Sequence, residues 1–326
     1  MTIYYLYLVL SSLDAIISLG TIAFEYDFVK PEIVNESVVV IKGGRHPLQC
    51  ISVDNFVPND TYIAADRNIA IITGPNSSGK SVYLKQVGLL VYLAHLGSFL
   101  PAERAIIGVT DKILTRITAL ESVSSPQSAF SLDLCQMSKI IRAHTPHTLC
   151  LIDEFGKGTT PIDGISLLAT CIKHFIFNKA KVLFVVHFTE VLHKDIIDCT
   201  LHKDAIQSFQ MEMLKDRDLQ TDDDFNELEA TPMFKLGLGI APSSEGLLCA
   251  KAAGMKDSIL QRALNIKESM TNKIRIRPIQ NKGIDSRNLE LVSTFLQTTN
   301  WNSSNDERMN SSECDFQKLK SLINQC

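Results

Sequence analysis

The sequence lacks an excess of positive charge: 32 Lys and Arg stand against 36 Asp and Glu, a formal net charge of −4. A nucleic acid would have to be met by a local patch or by other parts of a larger assembly, not by a basic footprint of the whole chain. The eight cysteines (50, 135, 150, 171, 199, 249, 314 and 326) contain no C-x-x-C pair, which leaves no zinc-ribbon or dithiol redox motif. Four of them lie in apolar segments, as reduced thiols of an intracellular protein do. A secretory pattern is missing too. Residues 1–12 are apolar, yet they carry no positive n-region and no small-residue cleavage site, and Asp14 interrupts the run. Ile3 to Leu13 is too short for a membrane span, so no membrane partner is expected. What is present is apolar material: 45% hydrophobic residues in 326 positions can build a large core in one or two domains.

The most informative stretch is Ile69 to Leu84, an apolar strand pattern running into a glycine-rich loop and then a helix. Gly74, Pro75, Asn76, Ser77, Ser78, Gly79, Lys80 and Ser81 fit G-x-x-x-x-G-K-[ST], whose backbone N–H groups and helix N-terminus meet nucleotide phosphates. The two glycines let backbone approach phosphate where a Cβ would collide. Lys80 is expected to reach the β- and γ-phosphates and Ser81 to ligate Mg²⁺.

Downstream, Leu149 to Asp153 reads as a buried strand that delivers Asp153 and Glu154 in the Walker B pattern. Asp153 is expected to hold the Mg²⁺ of Ser81 through water, and Glu154 to take a proton from an attacking water. Val182 to Val186 is another buried strand, followed by His187. In an open parallel sheet the ligand crevice lies at the strand C-termini, so Thr73, Asp153 and His187 should converge on one edge. Ser128 is expected to cap a helix whose apolar stripe is Phe130, Leu134, Met137 and Ile141.

The remaining pattern is coarser. An apolar helix over residues 4–26 should stop before Pro31, and a β-branched strand comes next at 37–41. Residues 43–47 read as a turn, 54–60 as a loop, and 101–117 as two short strands around Gly108 and Asp111. A helix reaches Asn178, Phe209, Met211 and Met213 alternate as a half-exposed strand, and an acidic loop separates them from 233–236. Two helices come after it, the second over Lys256 to Ser269. Residues 271–326, with the basic cluster Lys273, Arg275 and Arg277, read as a weakly ordered tail.

With these residues in view, the chain resembles the C-terminal ATPase domain of the MutS mismatch-repair family. The matching motifs are Gly-Arg-His-Pro at 44–47, Gly-Pro-Asn-x-x-Gly-Lys-Ser at 74–81, Phe-Leu-Pro-Ala at 99–102 and Asp-Lys-Ile-Leu-Thr-Arg-Ile at 111–117. They continue with Asp-Glu-Phe-Gly-Lys-Gly-Thr at 153–159, His187 and a Ser-x-x-Gly helix pair from 243 to 269. Ser-Val-Tyr-Leu-Lys-Gln after the phosphate loop and Lys157, where most relatives carry Arg, make the chain look most like the family's meiotic branch.

That resemblance implies an α/β fold, a P-loop NTPase of ABC/MutS type with a C-terminal helix-turn-helix that docks on a partner subunit. It implies the end of a lever-type helix at 1–31, the ATPase domain at 32–239, the helix-turn-helix at 240–270 and a tail at 271–326. It also implies ATP with Mg²⁺ as ligands, Phe56 as the ring that stacks on adenine, and Ser128 as the serine that reaches in trans to the partner's γ-phosphate. His187 would be the switch histidine beside the γ-phosphate. The implied setting is the nucleus, the implied partner a second MutS-family subunit in a heterodimer, and the implied activity ATP hydrolysis within a DNA clamp of meiotic recombination.

Two departures bear on this. The signature segment carries Pro126 and Ala129 where relatives usually have Gly and Thr, which weakens what this subunit offers in trans. The family's mismatch-reading, connector, core and clamp domains are not among these residues, so DNA binding by this chain alone is expected to be weak, and a short isoform, fragment or incomplete gene model is implied. Two other readings compete: a nucleotide-holding partner module with little turnover, and a postreplicative mismatch-repair subunit. A transporter or chromosome-structure ATPase is disfavoured, because Leu-Ser-Gly-Gly-Gln is missing.

Overall fold

The computed structural model describes residues 2–117, 128–215, 230–241, 246–272 and 274. Pro126, residues 243–245 and the tail beyond 274, with Arg275 and Arg277, lie outside them, as does Lys273. The chain divides into two compact units, residues 1–261 and 262–326, and the first carries the candidate site.

Helix α1 (Thr2–Glu25) fills the stretch expected as an apolar helix over residues 4–26, and it continues through Asp14, where the apolar run was expected to be interrupted. A single Asp in a helix interior costs only a fraction of a kcal/mol, about 0.7 at most, so Asp14 does not break it. The helix is almost wholly exposed. Over Tyr4–Glu25, at a mean hydropathy of 1.8, it is long and apolar enough to cross a membrane by length and composition, which corrects the expectation of a stretch too short to do so.

Next come β1 (Glu32–Val34), β2 (Val39–Gly44), the short α2 (Gln49–Ser52) and β3 (Asn59–Ile63). Gly43 and Gly44, expected in a turn, instead end β2: the β2/β3 register shifts between Ile41 and Gly44, and Gly43 N–H donates to Asp60 Oδ1 at 2.7 Å. Asn59 and Asp60, expected in a loop, open β3 for the same reason. With β5 (Arg104–Gly108), which comes later in the chain, these strands form a four-stranded sheet ordered β1-β5-β2-β3.

From β3 the chain enters β4 (Ile69–Thr73) and α3 (Lys80–His95), passes through β5, and reaches β6 (Ile113–Arg116). It continues through α4 (Ala129–Ala143), β7 (Leu149–Asp153), α5 (Pro161–Asn178), β8 (Lys181–Val185), β9 (Ile206–Lys215), β10 (Ala230–Leu238), α6 (Gly246–Ala252) and α7 (Asp257–Thr271). A mixed α/β fold results. The second sheet has six strands in the order β10-β9-β4-β8-β7-β6, all parallel except β10 against β9.

β4, β7 and β8 are buried at every position, which is why their sequences are continuous apolar runs and not alternations. The period-2 geometry still sorts their side chains by face. Ala70 and Ile72 join Leu84, Val87 and Leu90 of α3, while Ile69 and Ile71 join Leu168, Ile172 and Phe175 of α5. On α4 the buried residues are Asp133, Met137 and Ile140; Leu134, expected in the apolar stripe, is exposed. Cys150 and Cys171 sit inside the α5 layer, and desolvation pushes their thiols up to about 12 and about 11, which keeps them unreactive.

Candidate functional site

Parallel strands all present their carboxyl ends to one edge, so the residues that leave each strand meet those that leave its neighbours. At that edge Thr73 ends β4, Asp153 ends β7 opposite Val185 of β8, and His187 lies two residues beyond the end of β8. Thr73 turns inward as a structural group: its hydroxyl donates to Phe209 O at 3.0 Å and accepts from Ala241 N–H at 2.8 Å.

The loop from Gly74 to Gly79 wraps into α3. Gly79 has φ +98, a left-handed value that a side chain would strain, and a Cβ there would meet Phe234 Cδ1 at 3.3 Å. Gly74 has φ +150, with Met211 Cβ 3.0 Å from the position a Cβ would take. Among the described residues no side chain caps the start of α3, so its first N–H groups keep the positive helix end available to an anion. Lys80 is buried, and its Nζ donates to the carbonyls of Gly74 (2.8 Å) and Pro75 (2.6 Å), folding the ammonium over the loop. Ser78 is also buried and donates to Pro75 O at 2.7 Å, which ties the loop to itself.

Asp153 is buried, and burial raises its carboxyl above the ordinary range, although the Ser81 hydroxyl bonded to it pulls the other way. Its Oδ1 is enclosed without a hydrogen-bond partner among the described residues. A hydroxyl and a carboxylate with an unused buried oxygen make a hard, all-oxygen donor set, which fits a small divalent cation. Glu154 has φ 47, also left-handed, in the turn that follows β7. Its Oε2 accepts from Lys157 Nζ at 3.0 Å and its Oε1 lies 4.0 Å from His187 Nδ1. Desolvation lowers the His187 pKa, leaving the ring neutral at neutral pH.

A cleft of about 450 Å³ lies over the loop, large enough for a small-molecule ligand. Phe56, Asn76, Ser77, Ser78, Gly79, Lys80, Ser81 and Glu154 line it, together with Phe234 and Met211. Asp153 and His187 stand behind this lining, reached through Ser81 and Glu154. Ser128 is elsewhere: it is exposed at the start of α4 and caps that helix by accepting from Ser131 N–H at 3.2 Å.

Several contributing residues escaped the sequence reading. Phe234 faces the loop from β10 with φ 52, at the register shift between Pro232 and Leu236, and its carbonyl accepts from Asn59 Nδ2 at 2.9 Å. Pro232 inside a strand was the available signal, since proline in a sheet marks an edge or a bulge. Arg116 stood in the sequence reading only as part of the 111–117 motif, without a role, and the buried ion pair it forms with Asp133 beside the end of β7 left no local signal.

Known proteins are similar to this sequence. The family model for MutS domain V matches residues 70–271. The DNA mismatch repair protein Msh3 of Mus musculus is 34% identical over 280 residues, covering 82% of this chain and 25% of that protein. MutS protein homolog 5 of Saccharomyces cerevisiae is 36% identical over 280 residues, with 78% and 30% covered. The DNA mismatch repair protein MutS of Carboxydothermus hydrogenoformans is 38% identical over 260 residues, with 78% and 29% covered. The chain thus spans between 25% and 30% of the length of these curated relatives.

Proposed function

The chain belongs to the MutS family, and from that premise we propose that it binds and hydrolyses ATP as a subunit of a MutS-type clamp, in meiotic recombination, and in the nucleus. The observation that carries the reading is the cleft that joins an uncapped helix N-terminus, the Lys80 ammonium and the Glu154 carboxylate. The N–H groups of the 74–81 loop and Lys80 bind the triphosphate, and Phe56 and Phe234 offer ring faces to the base. Ser81 and Asp153 would hold Mg²⁺, which would supply positive charge to the triphosphate. Glu154 orients water and accepts its proton, and neutral His187, its Nδ1 4.0 Å from Glu154 Oε1, would donate a hydrogen bond to a phosphate oxygen. Lys157, paired to Glu154, holds the carboxylate in place.

The exposed Ser128 hydroxyl accepts within α4 and still has its own proton to donate. It is suited to complete the nucleotide site of a second MutS-family subunit. Because Ala129 carries no hydroxyl, a mixed dimer with an intact partner signature is favoured over self-association. DNA recognition resides outside this chain, and any binding by the chain alone is weak and falls steeply with salt.

The test is direct. Fluorescent ATP analogue should bind the purified chain in a Mg²⁺-dependent way, and single-turnover hydrolysis should appear when a MutS relative is added. ATP that binds no better than inorganic phosphate would sink the proposal. If Ser128→Ala slows this chain's own site and leaves the partner's site alone, the trans role is wrong. A four-way junction that outcompetes plain duplex by about tenfold at physiological salt would overturn the statement on DNA.

A further inference from the structure

Arg116 ends β6, in register with Ile152 of β7, and its side chain is 3% exposed. Its two terminal nitrogens serve two different elements. Nη1 donates to the backbone carbonyl of Asp153, at the end of β7, and Nη2 donates to the carboxylate of Asp133, on the buried face of α4. The Asp133 side chain is 12% exposed, and Arg116 Nε is enclosed with no partner of its own among the described residues.

Burying two charges costs desolvation free energy that their attraction barely offsets, so the pair is a poor device for stability alone. What a guanidinium supplies that an ammonium does not is a rigid planar fork with donors at fixed separation. Here the fork spans from the residue whose carboxylate bonds Ser81 to the second turn of the helix that begins at Ser128. If the end of β7 moves, the guanidinium either loses its bond to the Asp153 carbonyl or takes Asp133 with it. Asp133 lies on the same helix face as buried Met137 and Ile140, so α4 moves as a unit.

We propose that Arg116 is a positioning residue that passes the state of the Ser81/Asp153 site to the N-terminus of α4, setting where Ser128 is presented. Occupation of the nucleotide cleft in one chain thereby governs what that chain offers a neighbour. The proposal rests on the ATP-binding reading of the cleft. It goes further by naming the connection between the two ends of the machinery, and it needs no contact between Ser128 and the cleft of its own chain.

Spatial continuity is not coupling, so the test must read both ends separately in one protein. Hydrogen exchange with mass-spectrometric readout on the full chain, with and without Mg·ATP, does this. In the wild type, Mg·ATP should slow exchange in the 74–81 loop and, by about fivefold, in the first two turns of α4. In the double variant Arg116→Met with Asp133→Leu, which replaces the ion pair by apolar groups of similar volume, the loop should still respond and α4 should not. Arg116→Lys keeps a charge near Asp133 without the fork, and it should also lose the α4 response.

An α4 response that survives in either variant while the loop responds overturns the proposal. So does a wild-type chain whose loop responds and whose α4 does not. Should the double variant lose nucleotide binding altogether, Arg116→Lys decides alone. A wild-type loop that ignores Mg·ATP refutes the ATP reading instead, an outcome distinct from the others.

Discussion

Two lysines are buried at opposite edges of the same sheet, and what holds them differs. Lys80 comes after β4 at the carboxyl edge, 5% exposed, bonded to two carbonyls of its own loop, with Asp153 and Glu154 nearby. Lys181 opens β8 at the amino edge, 1% exposed, and its Nζ donates to Ser37 Oγ at 2.9 Å and His147 O at 3.2 Å. Desolvation lowers the pKa of both, that of Lys181 to about 8. A depressed lysine therefore does not by itself mark a functional site. The surroundings do: Lys80 lines the cleft beside an uncapped helix end, whereas Lys181 is not among the cleft-lining residues and ties the start of β8 to the loops at 37 and 147.

The contrast is tested most severely at the carboxyl edge. Glu154→Gln should leave ATP affinity nearly intact and lower single-turnover hydrolysis by about 10²–10⁴, the usual contribution of a positioned base. Hydrolysis at the wild-type rate would remove Glu154 from its role. Next in size, Lys80→Ala should weaken Mg·ATP binding by about 1.5–3 kcal/mol, the range for hydrogen bonds to a charged group, without lowering the melting temperature. If Lys80→Ala destabilises the fold and Lys181→Met weakens nucleotide, the assignment of the two lysines is reversed.

A smaller effect is expected from the rings. Phe56→Ala or Phe234→Ala should each cost about 0.5–1.5 kcal/mol in ATP affinity. Neither should change the affinity for inorganic triphosphate, which has no base to stack. Equal losses for both ligands would mean that the rings shape the cleft and do not touch a base.

How legible each edge was depends on the kind of signal it carries. The carboxyl edge is written in contiguous residues: the 74–81 loop, and Asp153 with Glu154 directly after an apolar strand. Local pattern suffices there, because parallel strands bring their ends together without further instruction. The amino edge is assembled from distant segments. Lys181 before Val182 reads as a solvated flank of a strand, and only the approach of Ser37 and His147 buries it. The same holds for Arg116 with Asp133, for Phe234 over Gly79, and for the end of β2, where Gly43 answers to Asp60 seventeen residues away. Periodicity also misled on α4, where the helix buries Asp133 in preference to Leu134 because a guanidinium waits on that side.

The smallest expected effect concerns Lys181 and depends on pH. In the folded chain its amine titrates near 8, against an ordinary value of 10.5. Between those values the unfolded chain holds the proton and the folded chain does not, so stability rises with pH across that window; below about 8 the full cost of burying the charge is present. Lys181→Met removes this dependence while keeping an unbranched apolar stem of similar length. The Ser37 hydroxyl stays satisfied, since it already donates to Pro146 O at 2.8 Å, and the exposed His147 carbonyl region can take water in place of the amine. From pH 8 to pH 10 the melting temperature of the wild type should therefore gain on that of Lys181→Met by about 2–4 °C. A difference that stays flat from pH 7 to pH 10 would mean that Ser37 and His147 hold Lys181 fully protonated. The contrast between the two edges would then rest on geometry without any electrostatic cost at the amino edge.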